Sequence, residues 1–153
     1  MACGADYLCF LHADSLPGVS AARLRSYLDR APQWGFCRVR LSGRRPVFRV
    51  IEWFMNLRSR LTAVATGDQM LFLHRSVFEC SGGFDNIPLM EDVALARSLK
   101  GQMRVLPVAA QTSAARYDKV GWLGQGARNL WRLARYFLGV SPERLARGYA
   151  SRN

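Results

Sequence analysis

An α/β fold, a sheet with helices packed above and below it, is what the sequence predicts, and three observations predict it. Tyr7-Leu8-Cys9-Phe10-Leu11 is a run of five apolar residues without alternation, the mark of a strand covered on both faces, as in a parallel sheet. Further strand-like runs alternate along the chain with stretches whose apolar residues recur at helical spacing. With 153 residues, half of them hydrophobic, the chain can form one domain with a real core and is too short for two comfortable ones.

The elements follow in order. The Tyr7–Leu11 strand delivers His12 and Asp14 to its own end, and Pro17-Gly18 makes a turn. Val19, Leu24, Tyr27 and Leu28 recur at helical spacing in a segment that stops before Pro32. From Gly35 to Leu41 the pattern alternates, Cys37, Val39 and Leu41 against Phe36, Arg38 and Arg40, as in a strand with one exposed face. After the basic loop 42–46, the absence of Gly and Pro from Val47 to about Val64 predicts a long amphipathic helix. Its stripe is Val47, Val50, Ile51, Phe54, Leu57 and Leu61.

Met70 to Leu73 reads as another buried strand, and Ser76 to Glu79 as a turn or two of helix before Gly82-Gly83. Glu91-Asp92 opens a helix that stops at Gly101, a brief strand covers Arg104 to Val108, and Gln111 to Lys119 is polar. Trp122 to Leu138 forms a helix with a core-facing stripe of Leu123, Ala127, Leu130, Ala134 and Leu138. Ser141-Pro142 caps a last one, so that 122–149 is a pair of amphipathic basic helices.

Lys and Arg number 22 against 11 Asp and Glu, a formal +11, which favours anionic partners: nucleotide phosphates, acidic lipid or nucleic acid. The four cysteines form no C-x-x-C pair and, with two histidines, do not suggest a zinc site. They read as small buried hydrophobes of a reducing compartment, and no signal peptide or spanning segment stands out, so a cytoplasmic protein is expected.

Several polar residues admit two readings. Asp14 is either a turn residue or, at the carboxyl end of a strand where open α/β sheets bind ligands, a group within reach of a metal-bound phosphate. Glu91 and Asp92 either complement a helix dipole or form a catalytic pair in which like charge raises one pKa. Gly67-Asp68-Gln69 is either a helix-to-strand turn or part of a hydroxyl-binding pocket. Arg128, Arg132 and Arg135 near Trp122, Trp131 and Tyr136 suit either a solvated basic edge or a bilayer interface.

Six blocks favour the catalytic reading of Glu91 and Asp92 and leave the others open: Phe10-Leu11-His12-Ala13-Asp14, Thr66-Gly67-Asp68-Gln69, Gly82-Gly83-Phe84, Pro88-Leu89-Met90-Glu91-Asp92-Val93, Gln111-Thr112-Ser113-Ala114 and Gly139-Val140-Ser141-Pro142-Glu143-Arg144-Leu145. In this order, from Tyr7 to Tyr149, the chain resembles the family 2 glycosyltransferases of GT-A fold, most closely a bacterial branch of small single-domain members. The resemblance implies inverting, metal-dependent transfer of a sugar from a nucleotide-sugar donor to an unidentified hydroxyl acceptor. Asp14 would hold Mg²⁺ or Mn²⁺, and His12, in place of the first acid of the usual Asp-x-Asp, would contact the nucleotide or support that site. Asp92 would be the catalytic base with Glu91 beside it, Gly67, Asp68 and Gln69 would shape the acceptor pocket, and Arg116 would contact the diphosphate.

Family members begin with a strand–helix–strand unit that holds the base and ribose, and here one strand precedes Asp14. The resemblance therefore implies a truncated GT-A mixed sheet, one partial domain over 1–153. Such a chain is expected to be incomplete alone and to self-associate or pair with a separately encoded N-terminal half. Peripheral contact with the inner face of a membrane is a further expectation. The competing expectations are a basic non-catalytic module for acidic membrane or RNA and an inactive remnant. Of these, RNA has only the Phe36, Arg38, Arg40 face as a hint.

Overall fold

The computed structural model describes residues 4–99, 101–115, 117 and 121–150. Its elements run β1 (Tyr7–Phe10), β2 (Ser15–Pro17), α1 (Ala21–Leu28), β3 (Trp34–Leu41), α2 (Pro46–Thr62), a 3-10 turn (Gly67–Gln69), β4 (Leu71–His74), α3 (Arg75–Cys80), α4 (Glu91–Ser98), β5 (Met103–Thr112), α5 (Trp122–Phe137) and α6 (Pro142–Ala150). The chain is α/β, with a single five-stranded mixed sheet in the order β1-β4-β3-β5-β2. Only β3 and β5 are parallel; β4 runs antiparallel to both β1 and β3, and β2 runs antiparallel to β5.

The core lies on both faces of the central strands. Trp34, Phe36, Leu71 and Leu73 meet Leu95 and Leu99 on one face, and Cys37, Phe72, Leu106 and Ala110 pack under Leu24, Tyr27 and Leu28 of α1 on the other. Each fully buried Phe or Leu here contributes about 1.5–3 kcal/mol. Gly35 sits where β3 is squeezed between neighbours, for a Cβ there would run into the Arg104 carbonyl and the Phe72 ring.

Several expectations change. β1 is an antiparallel edge strand, its Cys9 exposed; its apolar run is explained by Phe10 stacking on Phe78 and Phe84 at centroid distances of 5.3 and 4.8 Å. A short second edge strand, Ser15–Pro17, precedes the turn, and Pro17 is tolerated there because an edge residue need not donate. In β3 the exposed face is limited to Arg38 and Arg40; Phe36 is fully buried and cannot stack on a nucleobase. β5 is twice the brief strand expected, ten residues, because Pro107 falls where the register with β3 jumps from Cys37↔Leu106 to Arg38↔Ala109. Of the cysteines Cys37 is buried, its thiol pushed up to about 12 by burial and then by Cys9, whereas Cys9 and Cys80 are exposed. Cys3 lies outside the described residues.

The largest departure is in α2. Its position and length agree with the pattern, but only the first part of the expected stripe faces the core: Val47 and Ile51 pack beside the buried Phe48, whereas Val50 and Leu61 are 63 and 77% exposed and the polar Glu52 and Ser59 are buried. The cause is the edge of β3. β4 pairs with β3 only at Trp34–Phe36, which leaves backbone groups beyond Cys37 in need of partners. Side chains of α2 supply them: Val39 N–H donates to Asn56 Oδ1 (2.9 Å), Asn56 Nδ2 donates to the Val39 carbonyl (3.1 Å), Leu41 N–H donates to Glu52 Oε1 (2.6 Å) and Arg49 donates to the Leu41 carbonyl (3.0 Å). Residues 49, 52 and 56 recur one helical turn apart, so one stripe of α2 acts as a surrogate strand.

The stripe assigned to the core in α5 is likewise outward: Leu123, Leu130 and Leu138 are exposed, and the helix docks through Leu133 on Val64 and Val93 and through Tyr136, over which Arg97 lies. Ser141 caps α6 by accepting from Arg144 N–H. No helix among the described residues is long and apolar enough to cross a membrane.

Candidate functional site

A cavity of about 750 Å³ opens beside the ends of β1 and β5. Four separate segments bring polar groups to its floor: His12 and Asp14 after β1, Gly67 and Asp68 in the 3-10 turn, Glu91 and Asp92 at the start of α4, and Thr112 at the end of β5. The first two segments are tied together by His12 N–H donating to the Gly67 carbonyl (3.1 Å). Gly67 N–H in turn donates to Asp92 Oδ2 (2.6 Å), and Asp92 Oδ1 accepts from Val93 N–H (2.7 Å). Through these bonds Gly67 fixes both His12 and Asp92.

Asp92 is half-buried at the N-terminal end of α4. Burial raises its pKa, the bonds from Gly67 and Val93 lower it, and the negative charges of Glu91 and Asp68 raise it further, with a net upward shift. The entry to α4 is set by Met90, which takes a left-handed conformation (φ 68°) and aims the two carboxylates into the cavity. Glu91 lines the cavity and is exposed.

His12 Nδ1 and Asp14 Oδ1 are 2.8 Å apart, and Thr112 Oγ1 donates to Asp68 Oδ1 (3.1 Å). One donor atom each from His12, Asp14 and Asp68 lies within 4.8 Å of the others. An imidazole and two carboxylates are a donor set that suits Mn²⁺, and the carboxylates alone suit Mg²⁺. Asp68, expected in the acceptor pocket, thus stands beside His12 and Asp14.

Two members of the expected acceptor pocket act differently. Gln69 is fully buried and faces the interior, its Oε1 accepting from Ser59 Oγ (2.7 Å) and Thr66 N–H (3.4 Å). Gly67 is at the cavity, but a Cβ there would find nothing nearer than His12 at 3.5 Å. Its backbone bonds, and not the absence of a side chain, are its contribution. Arg116 lies outside the described residues.

Sequence reasoning missed Arg58 and Tyr117. Arg58, on α2, reaches the floor; burial lowers its pKa, opposed by Asp92, Tyr117 and Asp68. Its Nε is buried without a hydrogen-bond partner among the described residues, although a terminal nitrogen donates to Ser59 Oγ. Burial raises the Tyr117 pKa, as does Asp68, while Asn129 of α5 and Arg58 lower it. A sequence signal existed for Arg58, an arginine bordering an apolar stripe and one turn from Phe54 and Leu61. No family model, curated protein or solved structure matches the chain.

Proposed function

We propose that the chain carries the metal- and acceptor-side half of a family 2 glycosyltransferase of GT-A fold, transferring a sugar from a nucleotide-sugar donor to a hydroxyl. The observation that carries this reading is the convergence of His12, Asp14, Asp68 and Asp92, from three separate segments, on one cavity. Asp14 and Asp68, with His12, would hold Mg²⁺ or Mn²⁺. When bound, the cation would supply positive charge against the departing diphosphate.

The chain's own residues do the rest. In this reading Asp92 accepts the proton of the acceptor hydroxyl. Each of its oxygens already takes one backbone N–H, which locks the carboxylate in place, and its raised pKa makes it a better proton acceptor than an ordinary aspartate. The negative charges of Glu91 and Asp68 favour the protonated product, because protonating Asp92 relieves their repulsion of its carboxylate. His12 orients Asp14 through their 2.8 Å contact.

Two measurements test the proposal. Calorimetric titration of Mn²⁺ should show binding in the parent chain that Asp14→Ala abolishes; an unchanged isotherm would remove Asp14 from the metal site. In sugar transfer from a panel of UDP and GDP sugars, Asp92→Asn should lower turnover on the order of a hundredfold with donor affinity retained. Full turnover in that variant excludes Asp92 as the base.

A further inference from the structure

The cavity has a second half that proton transfer and metal binding do not use. Above the polar floor its walls are Val50, Trp53 and Phe54 of α2 and Leu123 and Leu130 of α5, all solvent-exposed. These walls are apolar because both helices, which also bury Phe48 and Leu133, turn further apolar side chains outward. In contrast to the carboxylates of the floor, Asp14, Asp68, Glu91 and Asp92, the charges on these two helices are basic toward solvent. α5 carries Arg128, Arg132 and Arg135 and no acid, and the one acid of α2, Glu52, is held inward by Leu41 N–H and Arg49. Arg58 and Arg132 themselves line the cavity.

An apolar cleft of this volume, open to solvent, ending in a hydroxyl-accepting carboxylate and flanked by arginines, fits one kind of molecule. We propose that the acceptor is an anionic lipid whose head group carries a free hydroxyl. The hydroxyl meets Asp92, the phosphate lies by Arg58 and Arg132, and an acyl chain runs out between Phe54 and Leu130. The hydroxyl's direction rests on the glycosyl-transfer reading; binding of the lipid does not. A bilayer rich in anionic lipid would supply the acceptor, with the tryptophans of α2 and α5 at head-group depth.

Tryptophan emission of the full chain reports occupancy, because Trp53 and Trp122 line the cavity. Monomeric dihexanoyl phosphatidylglycerol should give a saturable blue shift. Glycerol phosphate, which lacks the chains, and dihexanoyl phosphatidylcholine, which lacks the net charge, should bind roughly tenfold more weakly or worse. Leu130→Asp and Arg58→Gln should each cost about the same factor with the circular dichroism unchanged. Dihexanoyl phosphatidylmethanol, equally charged but without a head-group hydroxyl, should bind less well than phosphatidylglycerol, and Asp92→Asn should erase that difference.

Equal binding of phosphatidylcholine, response to vesicles but not to monomers, or no response overturns the lipid site. Equal binding of the two anionic lipids overturns the acceptor role. Manganese binding separates the two proposals: its absence with lipid binding intact counts against glycosyl transfer alone, and its presence without a lipid response counts against the lipid alone.

Discussion

The helices α4 and α2 flank the same cavity and use their residues in opposite ways. α4 buries Leu95 against the sheet and Val93 against Val64 and Leu133, and offers carboxylates to the cavity from its first turn. α2 turns Glu52, Asn56 and Ser59 toward the protein beside Phe48, and leaves Val50, Trp53, Phe54 and Leu61 outside. The difference comes from what each covers. α4 lies over a sheet face, which needs only apolar contact, while α2 lies along a strand edge, whose N–H and C=O groups must be hydrogen-bonded. Amphipathicity reports that a helix has two faces; the surface it covers decides which face goes in.

Substitutions can break or sharpen this comparison. Leu95→Ala in α4 should have the largest effect, about 2–5 kcal/mol of unfolding free energy, since the side chain is 1% exposed in the core. Chemical denaturation measures it, and a loss below 1 kcal/mol or so would deny α4 its anchoring role. Glu52→Ala in α2 should cost about 1–3 kcal/mol, because it leaves Leu41 N–H buried and unpaired, and Glu52→Gln should recover most of that loss by restoring an acceptor. Equal loss in both variants would point to the charge rather than the hydrogen bond.

A smaller effect is expected from pH. The native state holds the Asp92 proton to higher pH than the unfolded chain, whose carboxyl has the ordinary 3.8. This contribution to stability is therefore full below 3.8 and declines as pH rises through the raised value. Asp92→Asn removes the titration, so urea midpoints from about pH 4 to about pH 7 should fall less in the variant than in the parent. Smallest of all should be Leu61→Ser, within about 0.5 kcal/mol, as expected for a side chain 77% exposed. A loss as large as that of Leu95→Ala would mean that the outward face of α2 is covered in solution.

Local signals in the sequence located most elements. Ser141-Pro142 at the start of α6 and the Gly82-Gly83 break after α3 are each determined within a few residues, and the structure has both; α2 begins one residue before the expected Val47, at Pro46. What depended on distant partners was not legible. The bulge that lets β5 continue past Pro107 exists only because β3 accommodates the register jump. The inward polar stripe of α2 exists only because β4 stops pairing at Phe36.

The site divides in the same way. His12, Asp14, Glu91 and Asp92 were legible as chemistry-bearing residues at element ends and do line one cavity. Gln69 was misplaced because a glutamine in a turn carries no sign that its amide will be drawn to Ser59, ten residues earlier. Arg58 was missed because its importance lies in where α2 points it.

The bonds between α2 and β3 also set how two amides exchange with solvent. Val39 and Leu41 N–H donate to side chains on a helix, not to a neighbouring strand, so their deuterium uptake follows the lifting of α2 and not the opening of the sheet. A ligand that presses α2 against α5 should slow uptake at these two positions while leaving the ladder between β3 and β5 unchanged. Any such occupancy of the cleft would be read at the end of β3 that β4 leaves unpaired.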